Sequence, residues 1–543
     1  MIRKSVSVLL VLLMMVLLLS GCQPDEGFVP ESDADAKPAY GDTFIEASIG
    51  EPSNLLPILA TDSASSEING LVYNGLVRYD KNLKLEGELA ESWDISPDNL
   101  TITFHLRKGV KWHDGAPFTS ADVMFTYRLY IDPDTPTAYA ESYKQVKHAE
   151  APDDYTFRVT YDKPYAPALG SWAMRILPKH LLDGVPITKS PLSRHPIGTG
   201  PFVFTEWQSG EKVVVEANPD YFEGRPFLKR VVYRVIPDQT TQFLLLRNGD
   251  LDYMDLSPIQ YQTQTDTLAF ERRFNKYRYL AFSYTYLGYN LERPLFKDRR
   301  VRQALSYAIN KQEIIEGVLL GLGQAATGPY KPDTWVYNPN VKRYPYDPDK
   351  ARALLAEAGW HDSDGDGILD KDGRPLQFTI ITNQGNDLRI KTGEIMQQRF
   401  REVGVSVKLR VIEWAAFLKD FIHAGNFDAC ILGWAGGPEP DQYNIWHSSK
   451  TGTRELNFIH FRNAEVDRLL EEGRRTFDQE KRKKIYDRFQ EILAEEQPYT
   501  FLYVAESLPV VARRLHGIEP APAGITHNFI RWYVPEEEQK YAR

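Results

Sequence analysis

An aspartate-rich segment at residues 362–373 has a spacing suited to a metal ion. It reads Asp-Ser-Asp-Gly-Asp-Gly-Ile-Leu-Asp-Lys-Asp-Gly, and its first half matches the calcium-loop pattern. Gly373 stands where that pattern has a bidentate Glu. The segment therefore predicts either a structural calcium site or a surface turn rich in Asp and Gly. The carboxylates that would hold the ion are those of Asp362, Asp364, Asp366, Asp370 and Asp372.

Catalytic motifs are missing from the sequence. There is no Gly-x-Ser-x-Gly elbow, no His-Glu-x-x-His pair and no phosphate-binding loop of the Walker type, and the 11 histidines are scattered. The 2 cysteines, Cys22 and Cys430, exclude a disulfide scaffold and a thiolate metal site within one chain. We therefore expect no enzymatic activity and no required cofactor.

Composition indicates a folded protein that does not bind nucleic acid. The 543 residues include 64 Lys and Arg against 74 Asp and Glu, a net charge of −10. Hydrophobic residues make up 42% and charged residues 25%, which are globular proportions. A mildly acidic chain without long basic runs is a poor match for nucleic acid.

The N-terminus predicts export and lipidation. Arg3 and Lys4 precede an apolar run over residues 8–19, which is too short to span a bilayer but suits a signal peptide. The run ends in Leu-Ser-Gly before Cys22, a lipobox in which the thiol accepts diacylglycerol. We expect a signal peptide over 1–21, a lipid anchor at Cys22 and a flexible tether over 22–40. The alternative is an ordinary secretory signal with a fortuitous cysteine.

The body of the chain shows a mixed α/β pattern. Apolar residues alternate at 102–106 and 405–411, and shorter apolar runs at 378–381 and 429–432 predict buried strands. Asp298 and Asp347 each precede a segment with helical periodicity, and two further helices are predicted within 464–495. These stripes predict core packing.

Motifs along nearly the whole mature chain resemble the family 5 extracellular solute-binding proteins, the peptide and nickel receptors of ABC importers. The residues that carry this resemblance are Leu89-Ala90-Glu91-Ser92-Trp93, the stretch 104–115, Gly198-Thr199-Gly200-Pro201-Phe202, Asn218-Pro219-Asp220-Tyr221, the 299–305 helix and Leu354-Leu355-Ala356-Glu357-Ala358-Gly359-Trp360. Gly433-Trp434 followed by Pro440-Asp441-Gln442-Tyr443 is most similar to the App-type oligopeptide-binding lipoproteins.

The resemblance implies a two-lobed α/β fold that closes like a Venus flytrap, with two hinge strands and an extra third domain. Mapped by motif, lobe I comprises 41–72, 181–283 and 506–543. Domain II comprises 73–180 and lobe III 284–505. Two crossings between the lobes, near Ser283 and Ala505, favour a closing hinge over a loose linker.

The resemblance also implies a peptide ligand held in the cleft between the lobes. A receptor for varied peptides can pair with the backbone as an added strand, and small residues let the two backbones approach. Relatives that take short peptides often carry an Asp soon after the tryptophan of this loop, where this chain has Gly436 and Gly437. We therefore expect longer oligopeptides held mainly by backbone contacts. The expected ligand-binding residues are Asn54, Tyr284, Tyr286, Tyr289, Asn290, Trp414, Phe417, Gly433, Trp434, Ala435, Gly436, Gly437, Asp441 and Tyr443.

Other readings stay open from the sequence. A receptor of the same family could take a nickel chelate, an opine or an oligosaccharide, and an extracellular hydrolase or chaperone is a further alternative. The implied partners are a permease pair and two ATPases, with the chain monomeric on the outer face of the cytoplasmic membrane, or on its periplasmic side in a Gram-negative host.

Overall fold

Strands and helices alternate along residues 37–541, the part of the chain that the computed structural model describes. The predicted signal peptide, Cys22 and most of the predicted tether lie outside these residues. In chain order the strands are β1 (Gly41–Ser48), β2 (Val77–Tyr79), β3 (Leu85–Gly87), β4 (Ala90–Ile95), β5 (Thr101–Leu106), β6 (Val146–Asp153), β7 (Thr156–Tyr161), β8 (Phe202–Gln208), β9 (Lys212–Ala217), β10 (Leu228–Val235), β11 (Tyr253–Asp255), β12 (Phe274–Lys276), β13 (Tyr279–Leu280), β14 (Ser283–Tyr289), β15 (Gly323–Ala325), β16 (Asp370–Lys371), β17 (Arg374–Pro375), β18 (Gln377–Asn383), β19 (Ser406–Ile412), β20 (Ala429–Ala435), β21 (Tyr499–Ser507) and β22 (Pro509–Ala512).

Two helices begin at the aspartates that the sequence marks as caps. Asp298 accepts a hydrogen bond from Arg300 N at 2.9 Å, and Asp347 accepts one from Lys350 N at 2.9 Å, which confirms both predicted helix starts. The helices are α1 (Ser63–Val72), α2 (Ser120–Ile131), α3 (Ala168–Ser171), α4 (Lys179–Leu182), α5 (Gln239–Asn248), α6 (Leu268–Glu271), α7 (Pro294–Lys297), α8 (Arg299–Ala308), α9 (Lys311–Gly317), α10 (Pro348–Glu357), α11 (Asp387–Glu402), α12 (Trp414–Ala416), α13 (Tyr443–Trp446), α14 (Ala464–Arg475) and α15 (Gln479–Glu496).

Three sheets define the parts of the molecule. Lobe I is built on a seven-stranded sheet in the order β12-β22-β11-β1-β10-β9-β8. Domain II is built on the four-stranded antiparallel sheet β4-β5-β7-β6. Lobe III is built on the sheet β13-β21-β14-β20-β18-β19, to which β15 adds by pairing with β21. The three predicted ranges stay a prediction as domain boundaries.

The lobe III sheet mixes parallel and antiparallel pairs. β18 runs parallel to both β19 and β20, whereas β14 pairs antiparallel with β20 and β21. The predicted strands at 378–381, 405–411 and 429–432 all form. The alternation predicted through Val411 does not hold to its end, because Val411 is 45% exposed at the tip of the edge strand β19.

Two crossings join lobe I to lobe III, and they lie side by side. The chain passes from β12 to β13 through residues 277–278, and it returns from β21 to β22 at Leu508. Tyr279 pairs with Ser507, so the two connections form one short antiparallel ribbon. β13, which the motif mapping assigns to lobe I, pairs in the lobe III sheet. The reason is that β21 extends beyond the predicted boundary and offers it a partner.

No helix among residues 37–541 is long and apolar enough to cross a membrane.

Candidate functional site

The lobe III sheet has a gap at the carboxyl ends of its parallel strands. β18 and β20 share only two residue pairs, the last being Ile381 with Cys430. Beyond that point β18 stays paired with β19 as far as Asn383, and β20 stays paired with β14 as far as Ala435. The chain leaves β18 toward β19 and later returns to the other side of β18. Crevices at such switch points are the usual ligand sites of open α/β sheets.

Arg389, in the first turn of α11, lies in this gap. Its Nη1 donates to Asn383 Oδ1 at 2.9 Å, and a Cβ built on Gly433 would lie 2.8 Å from its Nη2. Its Nε has no hydrogen-bond partner, and among residues 37–541 no carboxylate pairs with it. Burial lowers the pKa of Arg389 from its ordinary value. A desolvated cation without a counter-charge is costly, and it is suited to receiving an anion.

The glycine-rich segment predicted as a ligand wall follows the free edge of β20. Gly433 and Trp434 are half-buried, whereas Ala435, Gly436 and Gly437 are exposed. Trp434 Nε1 donates to the Tyr499 hydroxyl at 3.3 Å, which holds the indole ring in place. Gly436 N donates to Phe282 O at 2.6 Å, which ties the segment to the hinge ribbon. The opposite backbone edge is therefore open to an added strand.

Two of the predicted ligand residues sit in the interior of lobe III. Tyr289 is fully buried, and its hydroxyl lies 2.8 Å from Thr500 Oγ1. Asn290 is also buried, and its Nδ2 donates to Phe427 O at 3.0 Å. Both side chains are fully engaged within the lobe, so their contacts are those of core residues.

Tyr284 and Tyr286 are buried on the same strand, and their hydroxyls differ in hydrogen bonding. Tyr286 stacks on Tyr499 with ring centroids 3.8 Å apart. The Tyr284 hydroxyl has no hydrogen-bond partner among the described residues, whereas the Tyr286 hydroxyl interacts with that of Tyr499. A buried hydroxyl without a partner is uncommon, and water or a ligand polar atom would satisfy it.

The two remaining predicted aromatic residues, Trp414 and Phe417, have different surroundings. Phe417 is fully buried in lobe III. Trp414 reaches the other lobe, since a Cβ built on Gly50 of lobe I would lie 2.7 Å from Trp414 Cδ1. Asn54, the predicted lobe I residue, lines a cavity between the lobes.

The two lobes are in contact, and residues from Ala39 onward form one unit. In lobe III, a Cβ built on Gly385 would lie 2.5 Å from Pro237 O of lobe I. On the domain II side, Lys450 Nζ lies 3.6 Å from Glu141 Oε1. The structure therefore represents a closed arrangement of the cleft.

The carboxylates that follow the glycine-rich segment are already paired. Asp441 Oδ2 accepts from Arg474 Nε at 2.9 Å, and the Arg474 guanidinium lies 3.8 Å from the ring centroid of Tyr443. Glu439 forms an ion pair with Arg482. Because both carboxylates face arginines within lobe III, neither is free to hold a peptide ammonium group. Tyr443, also a predicted ligand residue, packs against the Arg474 guanidinium within lobe III.

An acidic recess in lobe I was not anticipated from the sequence. Burial, followed by the nearby Glu67 charge, raises the pKa of Glu46 to about 8. The pKa of Glu67, an exposed residue at the rim of the recess, is also raised, by partial desolvation and by the charges of Asp255 and Asp62. Asp255 lies at the second crossing, where its Oδ1 accepts from Ser507 Oγ at 2.9 Å. A basic group placed here would favour the ionised carboxylates.

The aspartate-rich loop brings together part of the predicted calcium set. Asp370 instead accepts from Ser363 N at 2.9 Å and from Ser363 Oγ at 2.6 Å. Asp372 occupies the turn between β16 and β17 with φ +53°. Calcium binding stays a prediction. The carboxylate oxygens that lie within 4.8 Å of one another are those of Asp362, Asp364 and Asp366.

Arg389 is the main site residue that sequence reasoning missed. Its signal was present, since Asn386 caps a helix that starts just after the buried strand β18. A cation in the first helical turn, at the carboxyl end of a parallel strand, points toward the crevice side of the sheet. The position of Arg389 in the crevice follows only from the pairing of β18 with both β19 and β20. Those pairings join residues far apart in the sequence, so a local pattern does not show them.

Comparison with known proteins places the chain among solute-binding proteins. The family model "Bacterial extracellular solute-binding proteins, family 5 Middle" matches residues 84–455. The oligopeptide-binding protein AppA of Bacillus subtilis is 36% identical over 98% of this chain and 99% of its own length.

Solved structures agree over the whole fold. The Bacillus subtilis AppA structure, in complex with a nonapeptide, matches with a TM-score of 0.88 at 36% identity, over 92% of this chain and 100% of that chain. NikZ of Campylobacter jejuni, in complex with Ni(L-His), matches with a TM-score of 0.82 at 30% identity, over 91% of this chain and 99% of that chain. The fold predicted from the motifs is confirmed.

Proposed function

The chain belongs to the bacterial extracellular solute-binding proteins of family 5, and we propose that it captures oligopeptides between lobes I and III and delivers them to an ABC importer. The observation that carries the proposal is the free edge of β20, from Gly433 onward, beside the guanidinium of Arg389, which has no carboxylate partner in the part of the chain that the structure describes. The similarity to a relative solved with a nonapeptide supports the choice of ligand class.

The peptide backbone is the part of the ligand that β20 can recognise. An added strand gains main-chain hydrogen bonds whatever its side chains are. Gly433 leaves space for the backbone of an added strand to approach β20 closely. The position is already crowded, since a Cβ there would lie 3.0 Å from Tyr284 O. The exposed backbone of Ala435 and Gly436 extends the same edge away from the sheet.

Arg389 supplies the fixed charge of the gap. A carboxylate is the anionic group that every free peptide carries, and a guanidinium binds it with charge-assisted hydrogen bonds. Binding would give the Nε of Arg389 the acceptor that it lacks in the closed structure. Because Asp441 and Glu439 are already paired, the ammonium end meets no equivalent fixed charge in this segment. That asymmetry favours peptides of varied length.

Closure converts binding into a signal. The lobes meet through Trp414 against Gly50 and through Gly385 against Pro237, so a ligand between them touches both sides at once. A ligand that contacts both lobes only in this form shifts the population toward it. A permease pair, powered by two ATPases, would then recognise the closed shape.

The proposal includes the way the receptor is held at the cell surface. Lipidation at Cys22 would anchor the chain to the outer face of the membrane, and the segment from 22 to 40 would act as the tether. We propose that the receptor acts as a monomer and without catalysis.

Native mass spectrometry of the purified chain tests the function directly. We expect extra masses that resolve into peptides of varied sequence, and displacement of them by added synthetic nonapeptides. A single discrete small-molecule mass that added peptides do not displace would contradict the proposal. That outcome would favour a specialised solute such as a nickel chelate, an opine or an oligosaccharide.

A further inference from the structure

A second cavity, with a mainly apolar lining, lies between the lobes, apart from the gap that holds Arg389. Its volume is about 390 Å³, within the usual range for small-ligand pockets. Lobe I contributes Asn54 and Thr61 to its wall, domain II contributes Ala138, and lobe III contributes the segment after β19. Since three parts of the molecule form it, the cavity exists in this shape only when the lobes are together.

The lobe III wall of this cavity is basic. Lys419 and Arg454 line it as solvent-exposed residues, and neither side chain has a hydrogen bond or ion pair among residues 37–541. His423 lines the same wall, and burial, followed by the charge of Arg454, lowers its pKa. The lowered pKa favours the neutral imidazole, which can donate or accept a hydrogen bond on the wall that carries the two cations.

The backbone around these residues has two defined features. Lys419 and His423 are four residues apart on the π-helical turn Phe417–Ile422 and its end, so they share one face. Arg454 has φ +67°, an uncommon backbone conformation for a residue other than glycine. The surrounding structure thus maintains an unusual backbone at the residue that supplies the second cation.

None of the described lobe I and domain II residues that line the cavity is a carboxylate. The charge of Asp62, outside this lining, acts on His423, and its carboxylate is held within lobe I by Ser65 N at 2.9 Å, by Ser65 Oγ at 2.7 Å and by Ser53 Oγ. Asn54 accepts from Leu56 N through Oδ1, which leaves its Nδ2 free to donate into the cavity.

We propose that this cavity is a subsite for a second carboxylate of the bound peptide, held by Lys419 and Arg454 from lobe III and by Asn54 from lobe I. The inference rests on the proposed peptide-binding function and adds a preference for ligands with an acidic group. Because the carboxyl terminus is assigned to Arg389, the group that fits this second subsite is the side-chain carboxylate of an Asp or Glu residue of the peptide. The bound carboxylate would link the lobes, because its two sets of donors come from opposite sides.

Matched peptides test this preference. The probes are nonapeptides of Ser and Ala with free termini, in which a single Glu or Gln is moved along the sequence. Titration calorimetry on the whole purified chain is expected to show one Glu position bound about tenfold more tightly than its Gln match. The position that gains identifies the peptide residue whose side chain occupies the cavity.

Variants then assign the preference to these residues. K419Q/R454Q is expected to abolish the tenfold gain while binding the neutral peptides as the unmodified chain does. K391Q/K408Q removes the same charge from exposed lysines outside the cavity and is expected to keep the gain. Equal affinities for Glu and Gln peptides at every position, or a gain that survives K419Q/R454Q, would overturn the inference and leave peptide binding intact. Failure of every peptide to bind the unmodified chain would overturn the proposed function together with it.

Discussion

Ala166 of domain II donates its backbone N–H to the carbonyl oxygen of Arg474 in lobe III at 2.7 Å. The side chain of Arg474 is meanwhile paired with Asp441 and stacked on Tyr443. Arg474, whose carbonyl oxygen accepts the hydrogen bond from domain II, is therefore held in place within lobe III. The Ala166–Arg474 hydrogen bond thus joins two well-ordered surfaces in the closed arrangement.

Replacing Arg474 by Met is expected to lower the free energy of unfolding by about 3 kcal/mol, because it leaves the Asp441 carboxylate buried without its partner. Urea denaturation measures this change. The double variant D441N/R474M is expected to recover most of the loss. A double variant as unstable as R474M would show that the stack on Tyr443, and not the ion pair, is what stabilises the loop.

Replacing Arg389 by Met is expected to lower peptide affinity at least about tenfold and to change the stability of the ligand-free protein little. The reason is that the loss of the hydrogen bond to Asn383 is offset by the removal of a buried cation that has no counter-charge among the described residues. Calorimetry with a nonapeptide and a thermal melt measure the two effects. Arg401→Met, on the exposed side of the same helix, is the control and should change neither. Unchanged affinity in R389M would remove Arg389 from the site.

Gly433→Ala is expected to weaken peptide binding about tenfold, because the new Cβ would lie 2.8 Å from Arg389 Nη2 and 3.0 Å from Tyr284 O. Gly437→Ala is a matched control, since nothing lies within 4 Å of a Cβ built there. Calorimetry should therefore separate the two substitutions. Equal affinities for the two variants would argue against a ligand strand beside β20.

The acidic recess predicts a pH dependence of stability. Because the pKa of Glu46 is raised to about 8 in the folded chain, its protonated form favours folding. That contribution is complete below the unfolded pKa and is lost as the pH rises toward about 8. Glu46→Gln is therefore expected to raise the Tm at about pH 8 and to leave it nearly unchanged at about pH 4. Glu211→Gln, an exposed control, should not change the slope of Tm against pH.

The aspartate-rich loop predicts a calcium response. If Asp362, Asp364 and Asp366 hold the ion, added calcium should raise the Tm and a chelator should reverse the rise. Asp364→Asn should reduce the calcium-dependent rise without changing the Tm measured in chelator. A chain whose Tm ignores calcium would leave the loop as the surface turn that the sequence equally allows.

Local patterns were sufficient to predict much of the fold. Asp298 and Asp347 cap their helices as expected, since a cap depends on residues within one turn. The buried strands of lobe III were visible as short apolar runs because both of their faces are covered. The exposed end of β19 at Val411 was not, because edge position depends on strand order.

The site was harder to predict than the fold. The glycine-rich segment was found through its motif, but the sequence could not show that Asp441 is already paired with Arg474, 33 residues away. The recess of Glu46, Glu67 and Asp255 joins three separate elements and has no local pattern. Arg389 stands out because no carboxylate among the described residues forms an ion pair with it. A sequence pattern does not show the absence of an ion pair.

The hinge ribbon constrains how the cleft can move. Tyr279 is paired with Ser507, and Arg278 Nη2 donates to Glu506 Oε1 at 2.9 Å, so both connections bend together. Because the two strands are paired with each other, the lobes can rotate about one axis at low cost. Sliding or twisting of one strand against the other would break the hydrogen bonds between them. Trp414 should thus return to Gly50 after every opening, whichever peptide is inside. The transporter would then face one repeatable outline, and cargo of very different sequence could share the same recognition step.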